Sequence, residues 1–403
     1  MREYEVPPTA GMPLRFADFL PARGEGDFLD TAKGMLGVSH AGLACSGTAS
    51  LTLLLSALRL LAPQRRSVIV PAYTCPLVVL AVARCGLKMR LCDLAPGSLA
   101  LDPCELARLC DEDTLAVLPT HLAGRVVELE TSRRLAGEVG AWVIEDAAQA
   151  FGARLEGRSV GLVGDAGFFS FAVGKGLTLF EGGMWVTRHP ELAASIEDAS
   201  RRLLPWRPSW ELMRSLQLIG YGLCYRPSLL PWVYGRPLRR ALQRGEVAEA
   251  LGDVFSADFP LHRLGRWRQK VGARALRRWP AFRDALQAQA QERLPRLRAL
   301  PGVTVFEDAP GGEGVWPLFF LQLPSEAARE EVLRRLWTAG LGVSRMFAHA
   351  LPDYAYLRPW VEEAPVPVAR ALAARSLTIS NSLWLDEGRF ARTVHTLETV
   401  LAD

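Results

Sequence analysis

The sequence predicts an α/β protein built on a mainly parallel sheet covered on both faces, and two observations carry that expectation. From Gly47 to about Thr187, stretches with apolar residues at helical spacing alternate with short apolar runs. The runs lack the in–out alternation of a half-solvated strand, as strands buried on both faces do. In such sheets ligands bind beyond the carboxyl ends of the strands, so the loops after Val70, Leu118 and Ile144 are the informative ones.

Taken in order, the elements bear this out. After CSGT, the run ASLTLLLSALRLL is a long amphipathic helix, and SVIVPAY is a buried strand closed by proline. PLVVLAVARCG ends in glycine as a helix should, and LKMRLCDL returns as a strand. TLAVLPT, ELETSRRLAGEVG and AWVIEDAAQAFG then repeat strand, helix and strand. Between Arg201 and Arg244 the alternation stops: nine arginines and one acid, Glu211, accompany Trp206, Trp210, Tyr221, Tyr225, Trp232 and Tyr234. Past Phe255 an Arg-rich helical stretch leads through WRQKVGARALRRW to VWPLFFLQL, a helix from Ser325 to Thr338, LGVSRMF, LTISNSL and a final helix. The expected division is a large domain, residues 1–255, with an insertion at about 201–244. Residues 256–403 follow as a connecting helix and a smaller α+β domain that starts at about Phe282.

At 403 residues, 49% hydrophobic and 22% charged, the chain is neither a disulfide scaffold nor a disordered one. A net charge of +4 is too balanced to argue for nucleic acid, so any basic surface is local. Seven cysteines without a CxxC pair fit buried thiols in a reducing, cytoplasmic setting. The six histidines show no metal-ligand spacing. No signal-like core opens the sequence, and Ser215 to Tyr225, bounded by Arg214 and Arg226, is far short of a span. The expectation is a soluble protein, at most peripheral to a membrane.

Gly47 and Thr48, with Ser46, open the long apolar helix, where free N–H groups and the positive dipole end suit an anion; an ordinary Ser cap is the other reading. Asp146 ends the strand AWVI, where a carboxylate needs a cationic partner such as a protonated ring nitrogen, or caps a helix. Gln149, three residues on, can donate or accept beside the same ligand. Lys175 is one of only four lysines and stands between Gly174 and Gly176, where the backbone approaches a ligand and burial lowers an amine's pKa. A nucleotide phosphate loop is excluded: Phe169 occupies the required glycine position and Gly176 the Ser/Thr position. Gly161, Gly164 and Gly167 are not the dinucleotide GxGxxG. His121 either faces a ligand or is a hydrogen-bonded structural residue. With Ser170 as a second phosphate contact, these loops together specify a pyridoxal 5′-phosphate (PLP) site.

The motifs SGTASL (Ser46 to Leu51), VPAYT (Val70 to Thr74), THLAG (Thr120 to Gly124), EDAAQAFG (Glu145 to Gly152) and GDAGFFSFAVGKGL with EGG (Gly164 to Gly183) resemble the DegT/DnrJ/EryC1/StrS family of sugar aminotransferases, with the resemblance covering most of the chain. It implies a fold-type-I PLP-dependent transferase: a three-layer domain with a seven-stranded sheet, a smaller C-terminal domain, and a homodimer with active sites at the interface. Lys175 would carry PLP as a Schiff base and move the proton; Asp146 would hold the pyridine nitrogen protonated, and Gln149 would contact the phenolic oxygen. Gly47, Thr48 and Ser170 would bind the phosphate. The implied reaction is ping-pong transfer from an amino acid, typically glutamate, to a keto group of a nucleotide-linked sugar. Relatives that dehydrate carry histidine at the position of Lys175.

Three departures bear on the substrate. Cys75 stands where the family places a ring-stacking aromatic, leaving Tyr73 as a neighbour that could stack instead. SADFPLHRL (Ser256 to Leu264) replaces the asparagine loop that reaches a neighbouring subunit, with His262 or Arg263 as substitutes. The 201–244 segment grips an anionic substrate, rests on an anionic membrane surface, or forms a lid or subunit interface. Transamination in polysaccharide or natural-product biosynthesis is the leading function; PLP-dependent elimination, substitution or condensation on an amino acid is the alternative. Arg345, His349 and Asn381 are acceptor contacts by rough position alone.

Overall fold

A computed structural model describes residues 4–21 and 26–402. Its main sheet has seven strands: β1 (His40–Ala44), β2 (Ser67–Pro71), β3 (Lys88–Cys92), β4 (Thr114–Val117), β5 (Trp142–Asp146), β6 (Ala166–Ser170) and β7 (Gly183–Thr187). Their order is β1-β7-β6-β5-β4-β2-β3, and only β7 runs against the rest. Helix α1 (Gly47–Leu61) follows β1; apolar residues all along it, from Ala49 to Leu58, are buried in the large core that also takes Val68, Val70, Ile144 and Phe168. The alternation read from the sequence is therefore the fold: hydrophobic runs buried on both faces by crossover helices.

A second sheet of four antiparallel-paired strands, Thr304–Val305, Leu318–Gln322, Ser376–Ser380 and Val343–Ser344 in spatial order, packs with the helices Glu326–Leu336 and Glu387–Ala402.

The 201–244 segment forms α2 (Pro208–Cys224), a π turn (Pro231–Gly235) and α3 (Arg236–Gln243). Its position is fixed by a buried bidentate pair: Arg268 Nε donates to Glu211 Oε1 at 2.7 Å and Nη2 to Oε2 at 2.6 Å, while Nη1 donates to Leu179 O at 3.2 Å. Leaving one member of such a pair unpartnered costs about 3–5 kcal/mol. Arg214 Nε donates to Glu181 at 2.6 Å, and Arg239 reaches Glu5 at 3.2 Å.

Residues 5–12 run as a strap across the molecule. Glu5 N–H donates to Pro227 O, Val6 N–H to Gly340 O, Ala10 N–H to Pro317 O and Met12 N–H to Gly176 O. The strap thus ties the insertion, the second sheet's neighbourhood and the Lys175 loop together. All seven cysteines are free, with Cys45, Cys85 and Cys92 buried.

Candidate active site

The carboxyl ends of β2, β4, β5 and β6 and the start of α1 converge on a cavity of about 340 Å3. Gly47, Thr48, Cys75, Asp146, Gln149, Ser170 and Lys175 all line it, so the residues expected to bind the cofactor face one space. Thr74, His121 and Asp253 join them.

At one end, Ser46 caps α1 by accepting the Ala49 N–H at 3.0 Å, which leaves the first helical N–H groups, those of Gly47 and Thr48, without intrahelical acceptors. The cap and the anion site are therefore compatible. Ser170 lies beside Gly47: a Cβ at Gly47 would sit 3.0 Å from Ser170 Cβ, so glycine keeps this cradle open. The reversed β7 delivers Gly183 to the same place, paired with both Ala44 and Ser170. A Cβ on Gly183 would fall 2.1 Å from Ser46 O and 2.6 Å from Gly47 N, both rigid backbone atoms. Gly183→Ala should therefore push the start of α1 out of place, lowering stability by about 1–3 kcal/mol. It should also weaken cofactor binding at least roughly tenfold, the equivalent of about 1.4 kcal/mol. A thermal melt and a cofactor titration check this; unchanged affinity would show that the crowding has no bearing on the phosphate end. The EGG motif was the sequence signal, but nothing in the pattern said what its last glycine touches.

At the other end, Asp146 Oδ1 accepts the Ala148 N–H at 3.0 Å, and Oδ2 has no hydrogen-bond partner among the described residues. Burial holds the Asp146 carboxyl above the ordinary carboxylate range, with Lys175 pulling the other way. Burial likewise holds Lys175 below the usual lysine range, against the attraction of Asp146. Both groups are pushed toward neutrality because their mutual attraction does not offset desolvation. Asp146 Oδ2 is thus left able to accept from a further donor in the pocket.

Behind Asp146, Glu145 is fully buried and accepts the N–H groups of Gly161 (2.7 Å) and Gly164 (2.6 Å). Those glycines, unsuited to a dinucleotide, serve this carboxylate and let β6 pass: a Cβ on Gly167 would come within 2.4 Å of Gly161 Cα. Glu145 Oε2 also meets His121 Nε2 at 2.9 Å, and His121 Nδ1 accepts the Val127 N–H at 3.2 Å. Nδ1 is thus the acceptor and Nε2 carries the hydrogen, so both readings of His121 hold: its ring is fixed structurally and still lines the cavity.

Gln149 is oriented by Ala123, whose N–H donates to Oε1 at 2.6 Å; Nε2 lies 3.7 Å from Met346 Sδ and remains able to donate to a ligand. Lys175 sits in a turn after β6, its N–H donating to Ala172 O at 3.2 Å. Gly174 has φ +86°, and a Cβ on Gly176 would strike the Trp279 ring at 2.3 Å, which accounts for both flanking glycines. Burial pushes the Cys75 thiol up to about 12, so it stays protonated.

The structure corrects four sequence expectations. Tyr73 does not stack in the cavity: its ring packs against Phe320 and Phe347, and its hydroxyl accepts the Phe347 N–H at 3.2 Å. His262 is wholly buried against Trp210 and does not reach the surface, whereas Arg263 is exposed, its Nε donating to Leu204 O. No arginine of 201–244 lines this cavity or the larger one beside it. Of the C-terminal candidates, Arg345 lines the larger cavity, whereas Asn381 Nδ2 is bonded to Leu286 O and Trp316 O, and His349 packs on Tyr354. Asp253, which sequence reasoning missed, follows the insertion with no motif to mark it; its Oδ2 accepts from Ala348 N–H and Tyr354 O–H, each at 2.8 Å.

The DegT/DnrJ/EryC1/StrS aminotransferase family model matches residues 25–209. The erythromycin biosynthesis sensory transduction protein EryC1 of Saccharopolyspora erythraea is 30% identical over 329 residues, 81% of this chain and 76% of that protein. The chain belongs to the DegT/DnrJ/EryC1/StrS family. Another relative, the dTDP-3-amino-3,4,6-trideoxy-alpha-D-glucose transaminase of Streptomyces venezuelae, is 28% identical over 331 residues, 81% of this chain and 74% of that enzyme. The solved structure of DesI in the presence of its TDP-sugar product matches all of this chain and 94% of that one, with TM-score 0.74 at 23% identity, and shows the same fold. DegT-family enzymes use PLP. The residues present fit it: an open anion cradle at Gly47 and Ser170, a buried carboxyl on Asp146 with one oxygen still able to accept, an amide donor on Gln149 and an amine shifted toward its neutral form. No helix among the described residues is long and apolar enough to cross a membrane.

Proposed function

We propose that this enzyme transfers an amino group from an amino acid, L-glutamate in the first instance, to a keto group of a nucleotide-linked sugar or similar acceptor, by a ping-pong mechanism in polysaccharide or natural-product biosynthesis. The observation that carries the reading is that Lys175 and Asp146 line one cavity with the anion cradle of Gly47, Thr48 and Ser170.

When bound, PLP supplies an electron sink for the pair of electrons left when a substrate α-proton departs. Lys175 Nζ would hold the cofactor and, as a free amine, would serve as the base that takes the substrate's α-proton and the acid that gives it back. Its lowered basicity favours the free amine that this role requires. Asp146 keeps the proton on the pyridine nitrogen, and the Ala148 N–H keeps the carboxylate aimed. The N–H groups of Gly47 and Thr48 and the Ser170 hydroxyl bind the phosphate, and Gln149 Nε2 donates to the phenolic oxygen. The Cys75 thiol, protonated and half-buried, lines the cavity where the family resemblance places a ring-stacking aromatic. The reading includes a cytoplasmic homodimer, as the family resemblance implies.

Mixing the PLP-loaded protein with L-glutamate tests it: the visible band of the lysine-bound cofactor should fall while 2-oxoglutarate appears. A stable band with no 2-oxo acid formed, from glutamate or any other amino acid, would turn the reading to elimination, substitution or condensation.

A further inference from the structure

A second cavity of about 780 Å3 meets the cofactor cavity at Gln149, Val173, Lys175, Leu251 and Met346. The insertion builds its outer wall from Tyr221, Tyr225, Leu230, Val233 and Tyr234. Besides Lys175, Arg345 is the one cationic side chain on its lining among the described residues; its Nη2 donates to Ala348 O and Ala373 O, while its Nε has no partner. The insertion's wall itself carries no cation, so it suits an apolar body better than a diphosphate.

The outer surface continues the same chemistry. On α2, Leu212, Leu216, Ile219 and Leu223 recur at four- and three-residue intervals and form one stripe, 38–62% exposed. The adjoining row, Gln217, Gly220 and Cys224, faces the cavity. Val233 and Val173 belong to the cavity wall and are themselves about half exposed, so the cavity as well as the stripe presents apolar side chains to the outside. Trp206 and Trp232 are half exposed beside it in sequence. Arg207 and Arg226 bracket α2, and Arg236 and Arg240 lie one turn apart on α3; all four are exposed and, among the described residues, make no ion pair. The segment's one acid, Glu211, is buried on Arg268. A twofold pairing of this face with itself would set arginine against arginine with no carboxylate between them. Its complement is an anionic apolar surface.

We propose that the α2 stripe and its flanking arginines seat the enzyme on an anionic lipid surface, and that the second cavity receives from that surface a keto acceptor carried on an apolar chain. This rests on the aminotransferase reading and names its acceptor's carrier.

Flotation of the full-length protein with phosphatidylglycerol/phosphatidylcholine vesicles, against phosphatidylcholine alone, tests the docking. The wild type should float with the anionic vesicles, and less as salt is raised. L216E/L223E should lose this binding at least about tenfold with an unchanged circular-dichroism spectrum, since the apolar contact is gone. R226E/R240E, which touches no apolar residue, should lose its preference for anionic vesicles. Failure of the wild type to float, or a dimer that L216E/L223E dissociates in light scattering, would overturn the docking; the latter would assign the stripe to a second copy. Farnesyl monophosphate should raise the thermal midpoint and uridine diphosphate should not; the reverse would overturn the acceptor class. Lys175→Ala should float like the wild type, so failure of the aminotransferase reading would leave the lipid result standing on its own.

Discussion

Lys175→Ala should abolish the visible band of the loaded protein and reduce amino transfer by at least about 10^4-fold, because one side chain supplies both covalent attachment and proton transfer. The fold should survive: the turn is held by the Lys175 N–H to Ala172 O and by the close pass of Gly176 over Trp279, neither of which uses the side chain. Removing an amine whose charged form burial disfavours should leave the thermal midpoint equal or slightly higher. Lys175→Arg separates charge from chemistry. It keeps a cation near Asp146 but offers no nucleophilic amine, and should be as inactive as the alanine variant. Turnover surviving in either would refute the assignment of Lys175.

Asp146→Asn should cut turnover by roughly 10^2- to 10^3-fold while PLP still binds. The amide oxygen can accept the Ala148 N–H as the carboxylate does, so β5 and its loop should keep their geometry. What disappears is the negative charge against the pyridine nitrogen. The readout that a merely structural role would not move is the pH dependence of the bound cofactor's absorbance: without Asp146 the ring nitrogen should lose its proton at lower pH. An unchanged titration would mean that another group holds that proton.

Much of this was legible in the sequence because it is local. The motif residues lie at strand ends and a helix start, where one stretch of pattern fixes both the element and the direction of the side chain. Lys175 was marked by its two glycines, and Asp146 by the apolar run before it. The illegible part is what distant segments bring to the same place. Gly183 matters through a strand that runs backwards beside α1, Asp253 through a turn after the insertion, and Pro7, Pro8 and Thr9 through the strap that lines the second cavity. Tyr73 shows the opposite failure: two positions from Cys75, it was offered as a stacking neighbour, yet the chain has left β2 at Pro71 and bends there, and the ring packs on Phe320 and Phe347. Composition also could not separate the insertion's arginines from one another: Arg214 and Arg239 are spent on Glu181 and Glu5 inside the molecule, whereas Arg207, Arg226, Arg236 and Arg240 are exposed.

The strap of residues 5–12 also imposes an order in time. Its backbone partners at Gly176, Pro227, Pro317 and Gly340 are translated long after it. At ribosomal rates of about 5–20 residues per second, Val6 waits on the order of 20–60 s for Gly340. The main sheet can form in that interval, whereas the strap closes only when the second sheet exists to receive it. The Lys175 loop, which Met12 pins through Gly176, would thus be among the last parts of a nascent chain to settle, so cofactor capture should trail synthesis of the cofactor-binding strands themselves.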